Sequence, residues 1–244
     1  MTRCFDDFWQ ASSLDTHNLA EFGRQMAAFD GDGRTLRLEY SAAPLPLPGV
    51  RRTALDRIAV RRHSIREFGD RPLGDKELSR LLASCRAWGG PEHRSFPSAG
   101  ASYAVEVFLV QWRPGARMAY YDAVDHGLVE LPDPAPAWEE ASSRINAPVT
   151  GEPAAMVVAV LFTDRLTDKY DERGGRFALL EAGAVMQQLS LVTAELGLAG
   201  VVAGGLVDRY WSTRLGVREF GGRVAFGYLV GHPADVRGGP GRRR

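Results

Sequence analysis

The chain has 244 residues, of which 45% are hydrophobic and 25% are charged, as in ordinary folded globular proteins. This length can bury one sizeable core or two small ones. Lysine plus arginine and aspartate plus glutamate number 30 each, so no excess of positive charge recruits nucleic acid or an anionic membrane. The two cysteines, Cys4 and Cys85, have no metal-binding spacing and build no disulfide framework, which favours a reducing, cytoplasmic compartment.

Residues 1–50 are predicted to form an N-terminal extension. Residues 5–29 show helical periodicity, and the alternating prolines of 44–49 predict an extended, rigid connector. Acidic residues stand where a signal peptide would begin its apolar core, and the longest apolar run, 154–162, is far too short to span a bilayer. We therefore expect neither a signal peptide nor a membrane partner.

Residues 51–235 are predicted to form the main domain, in which helices and strands are mixed. Thr53 and Asp56 have the spacing of a capping box and predict a helix that ends near Arg62, and a second helix is expected to begin at Asp75. Strands are predicted at 105–112, 118–121, 128–131, 154–162 and 224–230, and further helices at 138–145 and 179–196.

The predicted fold class is α+β, because these elements do not alternate strictly as strand, helix and strand. The nearly unbroken apolar run of 154–162 is typical of a central strand that is covered on both faces. Residues 236–244, which are rich in glycine and arginine, are predicted to be a disordered tail.

A basic cluster follows the first helix of the main domain and is a candidate anion-binding site. It consists of Arg62, His63, Ser64 and Arg66. The planar guanidinium group presents a fork of donors that matches phosphate oxygens, and the serine hydroxyl adds a further donor. Taken alone, the cluster is equally compatible with a solvated basic surface or an RNA-facing patch.

Two glycine-containing segments could press their main chain against a flat ligand. One consists of Pro97, Ser98, Ala99 and Gly100, where proline fixes the backbone and glycine allows close approach. In the other, Gly204 and Gly205 follow an apolar stretch and expose backbone N–H groups that can bond a ring nitrogen or an oxyanion. Each segment is also compatible with an ordinary connection between elements.

Lys169 and Tyr170 are adjacent candidates for proton transfer, just before the apolar helix of residues 179–196. The lysine can act as a base only if burial or nearby arginines shift it toward the neutral form. Considered alone, a solvated lysine beside a packed tyrosine is the favoured interpretation. The sequence shows no metal spacing, Walker loop, dinucleotide fingerprint or nucleophile elbow, so no metal is expected.

In their order along the chain these motifs resemble the FMN-dependent nitroreductase superfamily. They are most similar to its SagB-type branch, the azoline dehydrogenases of ribosomal-peptide biosynthesis, over roughly residues 50–235. Further motifs that carry the resemblance are Pro72-Leu73, Ala119-Tyr120-Tyr121-Asp122 with His126 and Leu128, Arg173 with Arg176, Glu181-Ala182-Gly183 with Gln187, Leu196-Gly197-Leu198, and Gly231-His232-Pro233.

The resemblance implies a nitroreductase-like fold, with a central mixed sheet flanked by helices and FMN at the interface of a homodimer. It implies that the FMN phosphate and ribityl chain are held by Arg62, His63, Ser64 and Arg66. It also implies that the isoalloxazine ring meets Gly204 and Gly205 near its reactive nitrogen. The segment that would lie against the ring from the partner subunit is Pro97, Ser98, Ala99 and Gly100.

The activity implied by the resemblance is oxidation of a thiazoline or oxazoline in a modified precursor peptide to a thiazole or oxazole, as in antibiotic biosynthesis. FMN would take a hydride, Lys169 with Tyr170 would handle the proton, and dioxygen would reoxidise the flavin. A cyclodehydratase complex is the implied partner.

Three positions depart from the family pattern and bear on pocket shape and substrate rather than on FMN. Ala184 stands where histidine is frequent, Gln188 where asparagine is usual, and Ala104 where proline is common. Oxidation of another amino-acid-derived substrate therefore stays open. The motifs are also compatible with an NAD(P)H-dependent reductase of nitro groups or quinones, and with a flavin-binding scaffold subunit of a peptide-modifying complex.

Overall fold

The structure is a computed structural model that describes residues 4–28 and 45–234. Its helices are α1 (Cys4–Ser12), α2 (Leu19–Ala28), α3 (Ala54–Arg61), α4 (Asp75–Leu82), α5 (Trp138–Ser142), α6 (Asp164–Tyr170), α7 (Arg173–Leu196) and α8 (Asp208–Arg214). Its strands are β1 (Val105–Gln111), β2 (Arg117–Asp122), β3 (Gly127–Glu130), β4 (Ile145–Asn146), β5 (Ala155–Leu161), β6 (Ala199–Ala203), β7 (Gly205–Leu206) and β8 (Arg223–Gly231).

A six-stranded sheet in the order β3-β2-β1-β5-β8-β6 forms the centre, and β4 pairs with β7 outside it. The α+β class is confirmed, but the expectation of a mixed sheet is wrong, because every named strand pair in this sheet is antiparallel. The strands β5 and β6, joined through α7, do run in the same direction. They do not pair, because β8 lies between them and is antiparallel to both.

The strand β5 is buried along its whole length, as its apolar sequence predicts. Because successive side chains of a strand point to opposite faces, β5 contributes to two separate cores. Val157 and Ala159 pack with residues of α4 and α7 on one face of the sheet. Met156 and Val158 pack with residues of α5 and α8 on the other.

The helix α7 is the longest element of the described chain and spans 24 residues. By length and composition alone it could cross a membrane. Ala178, Val185 and Leu189 are fully buried against the sheet, which identifies it as a core helix instead. It ends at Gly197, whose left-handed backbone (φ 69°) is the expected C-terminal signal.

The described part of the N-terminal extension packs on the main domain. Glu172 accepts hydrogen bonds from the backbone N–H groups of Cys4 (3.1 Å) and Phe5 (2.9 Å) at the start of α1, where a carboxylate is favourable. The ring of Phe5 is buried against Gly175, where a Cβ would lie 2.3 Å from it. The predicted tail, 236–244, lies outside the described residues.

Candidate functional site

The basic cluster begins where α3 ends. Thr53 and Asp56 form the predicted capping box at the start of α3, and Arg62 ends the helix in an extended conformation. The chain then runs beside β6, because the Ile65 N–H donates to the Gly200 carbonyl at 3.0 Å. The side chains of the cluster residues are all exposed, namely Arg62, His63, Ser64 and Arg66. This arrangement fixes the backbone of the cluster. His63 Nδ1 bonds the Arg61 carbonyl at 2.7 Å, and the side chains of the cluster otherwise face solvent.

Arg62 lies near Tyr228, a buried tyrosine of β8 that is hydrogen-bonded to Thr193 in the last part of α7. Burial raises the pKa of Tyr228, and the Thr193 side chain together with the positive charge of Arg62 partly offsets that rise. Within the described parts of the chain, no carboxylate forms an ion pair with Arg62 or Arg66. Both guanidinium groups are therefore free, as far as the described residues go, to meet an external anion.

A cavity of about 530 Å³ connects Arg66 to the glycine pair, since Arg66, Gly204 and Gly205 all line it, whereas Arg62, His63 and Ser64 are not among its lining residues. A Cβ on Gly204 would meet nothing within 4 Å, so its backbone is open to a ligand. From Gly200, beside Ile65, to Gly204 the strand advances about 13 Å. That span suits a ligand with an anionic group at one end and a flat ring at the other.

The helix α2 forms another wall of this cavity, which sequence reasoning missed. Phe22, Gly23 and Met26 line it, and a Cβ on Gly205 would lie 3.1 Å from the Phe22 ring. A second cavity of about 590 Å³ is also lined by Phe22 and Gly204. Part of the predicted N-terminal extension thus contributes directly to the site.

Asn146 is a further wall residue that no sequence signal singled out. It pairs with Gly205 across the short ladder of β4 and β7, and its side chain reaches the same cavity. Among the described residues its side-chain amide makes no hydrogen bond, and it lies 3.4 Å from where a Cβ of Gly23 would be. Its donors and acceptor are available to a ligand.

The segment of residues 97–100 meets the Lys169–Tyr170 pair. Gly100 has a left-handed backbone (φ 60°), and a Cβ there would lie 2.5 Å from Lys169 Nζ and 2.6 Å from Tyr170 Oη. Glycine is required at this position both for its conformation and for the close approach. The structure therefore brings two of the predicted site segments into direct contact.

The pair itself lies at the end of α6, just ahead of α7. The Tyr170 ring packs edge-on against Phe177 at 5.2 Å between centroids, and Lys169 Nζ lies 5.3 Å from the centre of the Tyr170 ring. Lys169 is exposed and Tyr170 is half-buried. In a single chain the Lys169 side chain is therefore open to solvent.

The two halves of the predicted site lie on opposite faces of α7. Tyr170 packs on Phe177, and the 97–100 segment bonds to Glu181, one turn further along the same face. Leu179, which lines the second cavity with Gly204, is rotated by roughly 200° from Phe177 at 3.6 residues per turn.

Comparison with known proteins gives one family match and several relatives. Residues 59–232 match the model of the nitroreductase family. The chain is 29% identical to the nitroreductase-type protein MJ1384 of Methanocaldococcus jannaschii, over 72% of this chain and 91% of that protein. It is also 29% identical to the microcin B17-processing protein McbC of Escherichia coli, over 55% of this chain, and it spans only 53% of McbC.

Solved structures show the same fold at lower identity. The E. coli microcin synthetase McbBCD complex with truncated pro-MccB17 bound matches 92% of this chain and 84% of its own, at 19% identity and a TM-score of 0.68. A Desulfovibrio desulfuricans protein in complex with FMN matches 80% of this chain and 94% of its own, at 16% identity and a TM-score of 0.51. Together with the family and relative matches, these likenesses confirm the fold and the resemblance predicted from the sequence.

Proposed function

Because the chain belongs to the nitroreductase family of oxidoreductases, we propose that it is an FMN-dependent azoline dehydrogenase of ribosomal-peptide biosynthesis. Its substrate is a thiazoline or oxazoline in a modified precursor peptide, and its product is the thiazole or oxazole. The observation that carries the proposal is the contact of Gly100 with Lys169 and Tyr170. It puts a proton-handling pair beside a backbone segment that can lie against a flat ring. Similarity to McbC supports the peptide substrate.

The donor set fits FMN. The phosphate and ribityl groups are assigned to Arg62, His63, Ser64 and Arg66, of which Arg66 lines the cavity, and the ring to the open backbone of Gly204 and the adjoining Gly205. Guanidinium groups match phosphate oxygens, and main-chain N–H groups can bond a ring nitrogen. Bound FMN supplies a two-electron acceptor for a hydride.

In the proposed reaction, the chain's own residues accept and pass on the proton that the azoline ring loses. Conversion of an azoline to an azole removes one hydride and one proton from the ring. Lys169, in its neutral form, accepts that proton at Nζ, and the neighbouring Tyr170 hydroxyl orients the amine or relays the proton.

A homodimer would complete the site. The second cavity, lined by Gly204 and Leu179, and the Lys169–Tyr170 pair lie on opposite faces of α7, so in the proposed dimer each flavin would take its backbone platform and its base from the partner chain. Large apolar side chains are exposed at the surface formed by α3 and α7, including Val60 and Leu180 at 65% and 71% exposure. A second copy would bury such residues, as an isologous interface requires.

The proposed setting is cytoplasmic, with dioxygen as the final electron acceptor and a cyclodehydratase complex as a partner. The cyclodehydratase would supply the azoline, because an azoline forms by loss of water before it can be oxidised. The fold likeness to the McbBCD synthetase complex supports this partner class. Nucleic acid is not a proposed partner, since the charge is balanced.

Reduction of nitro groups or quinones by NAD(P)H is the second candidate function. Similarity to MJ1384 over 91% of that protein's length favours it, since the chain matches McbC over only 53% of McbC. A scaffold role is the third candidate, and the exposure of Lys169 in the single chain is its only support.

The test of the proposed function begins with the chromophore of the purified protein. We expect a yellow protein that releases FMN, identified by mass. Incubation with an azoline-bearing peptide under air should lower the peptide mass by one hydride plus one proton per ring. Two results together would favour the reductase: NADPH bleaches the flavin in the absence of peptide, and the peptide mass does not change in the oxidation assay. A flavin-bound protein that turns over neither substrate would favour the scaffold.

A further inference from the structure

A buried carboxylate lies beneath the 97–100 segment. Glu181, in the middle of α7, is only 2% exposed. Ser98 Oγ donates to Glu181 Oε2 at 2.5 Å, and the Val105 N–H donates to Oε1 at 2.9 Å. Ser98 Oγ in turn accepts from the Tyr103 N–H at 2.9 Å. One side chain thus ties the segment to the start of β1.

A second contact from the same helix holds the other end of this stretch. Gln188 Nε2 donates to the Ser95 carbonyl at 2.8 Å. Positions 181 and 188 are seven residues apart and therefore share one face of α7. The helix α7 is therefore hydrogen-bonded to the chain on both sides of Pro97, at Ser95 and at Ser98, while Pro97 itself is exposed.

The retention of a charge at position 181 is costly for the fold. Burial raises the pKa of Glu181, and the hydrogen bonds from Ser98, Val105 and Ala104 oppose that rise. An apolar side chain of similar volume is frequently no worse for stability than a buried charged group. A role in placing the segment explains why a carboxylate stands there.

We infer that Glu181 is a positioning residue for the proton-handling pair. It holds Ser98, and Ser98 sets the place of Gly100, which touches Lys169 Nζ and Tyr170 Oη. A shift of the segment by a fraction of an ångström would move the pair relative to the ring it serves. The kinetic part of this inference rests on the proposed function, whereas the tether does not.

Three substitutions and one control separate positioning from simple stability. Glu181→Leu removes both hydrogen bonds of the carboxylate. Ser98→Ala removes the bond to Glu181, together with the one that Ser98 Oγ accepts from the Tyr103 N–H, without changing a residue of α7. Glu181→Gln can keep both, because its carbonyl accepts from Val105 and its amide donates to Ser98 Oγ. Ser190→Ala is the matched control, since Ser190 bonds only within α7.

Kinetics on an azoline peptide give the first readout. Displacement of a catalytic group by about 1 Å costs about 100-fold in rate, so kcat should fall toward that extent in Glu181→Leu and Ser98→Ala. KM should stay near the wild-type value, and kcat is expressed per bound flavin, because the 97–100 segment is itself assigned to lie against the ring. Glu181→Gln should restore most of kcat, and Ser190→Ala should be unchanged.

The second readout does not need the azoline reaction. The acylation rate of Lys169 by an amine-reactive reagent is measured by mass spectrometry, with Lys76 in the same chain as internal reference. Release of Gly100 should raise the rate at Lys169 relative to Lys76 in Glu181→Leu and Ser98→Ala. If the wild-type protein oxidises no azoline, the proposed function fails. The ratio of the acylation rates of Lys169 and Lys76 then tests by itself whether Glu181 holds the 97–100 segment in place.

An unchanged kcat in Ser98→Ala would overturn the inference. So would an unchanged ratio of the Lys169 and Lys76 acylation rates in that variant. The same holds if the glutamine variant is as slow as the leucine variant. Should Glu181→Leu fail to fold, Ser98→Ala carries the decision, because Ser98 is only half-buried and its replacement leaves the residues of α7 unchanged.

Discussion

At the scale of single residues, the proposed chemistry depends on two adjacent side chains that are ordinary in isolation. Lys169 is exposed and Tyr170 packs on Phe177, which is what the isolated motif predicts. What the motif does not predict is the third member, Gly100, whose backbone touches both. The contact joins positions that lie far apart along the chain, so no local pattern in the sequence could reveal it.

Substitution of Lys169→Ala should slow azoline oxidation by about 100-fold to 10,000-fold, the range of general acid–base catalysis. FMN binding should be unaffected, because the lysine lies on the opposite face of α7 from the basic cluster. Single-turnover kinetics with bound peptide provide the measurement. Lys76→Ala is the control, since Lys76 is the chain's other lysine and lies on α4. Equal rates for the two variants would remove Lys169 from the mechanism.

Gly100→Ala should damage activity more than stability. Its Cβ would lie 2.5 Å from Lys169 Nζ, so the lysine must move, and the left-handed backbone adds a cost of about 1 kcal/mol. We expect a large loss of kcat with a small fall in the melting temperature. Gly115→Ala is the control, because a Cβ there meets nothing within 4 Å. A Gly100→Ala enzyme with full activity would show that the contact is incidental.

At the scale of elements, the helices and the central strand could be predicted, but the pairing of the strands could not. The apolar face of α7 and the unbroken run of β5 follow from burial, which the sequence records directly. The position of β8 between β5 and β6 depends on contacts between strands that are distant along the chain. Such contacts leave no periodic pattern in the sequence, so the strand order could not be predicted from it. For the same reason α2 could be foreseen as a helix but not as a wall of the cavity.

The hairpin of β2 and β3 provides a prediction at this scale. His126 bonds Tyr121 Oη at 2.8 Å and Ser79 Oγ at 2.9 Å, and so ties the hairpin to α4. Burial, followed by the charge of Arg86, lowers the pKa of His126 below its ordinary 6.5. The unfolded chain therefore binds this proton more tightly, and acidification below about pH 6.5 should destabilise the fold.

The measurement is the melting temperature from pH 7 to pH 5 for the wild type and for His126→Gln. Glutamine can still bond one neighbour but does not titrate in this range. We expect the wild type to lose more stability than the variant as the pH falls. His93→Gln serves as control, because the His93 side chain is exposed and bonds only the Trp88 carbonyl. Parallel curves for wild type and His126→Gln would contradict the assignment.

At the scale of the whole molecule, the proposed site is completed by two copies of the chain. The second cavity, which Gly204 lines together with Leu179, lies on one face of α7, and the base with its supporting glycine lies on the other. The sequence resemblance anticipated a shared site, whereas the separation of its two halves is visible only in the fold. The described N-terminal helices pack on this unit and line its cavities.

Mixed dimers of two inactive variants test this claim most directly. Arg66→Ala and Lys169→Ala chains carry different affinity tags, are co-expressed, and are isolated as the mixed dimer by two successive purifications. Suppose that each flavin binds to Arg66 of one chain and reacts beside Lys169 of the other. One site of the mixed dimer then carries both substitutions, and the other site carries neither and is intact. Azoline oxidation should then recover to about half of the wild-type activity per dimer. A mixed dimer as inactive as either parent would place Arg66 and Lys169 of each site in the same chain and contradict the account.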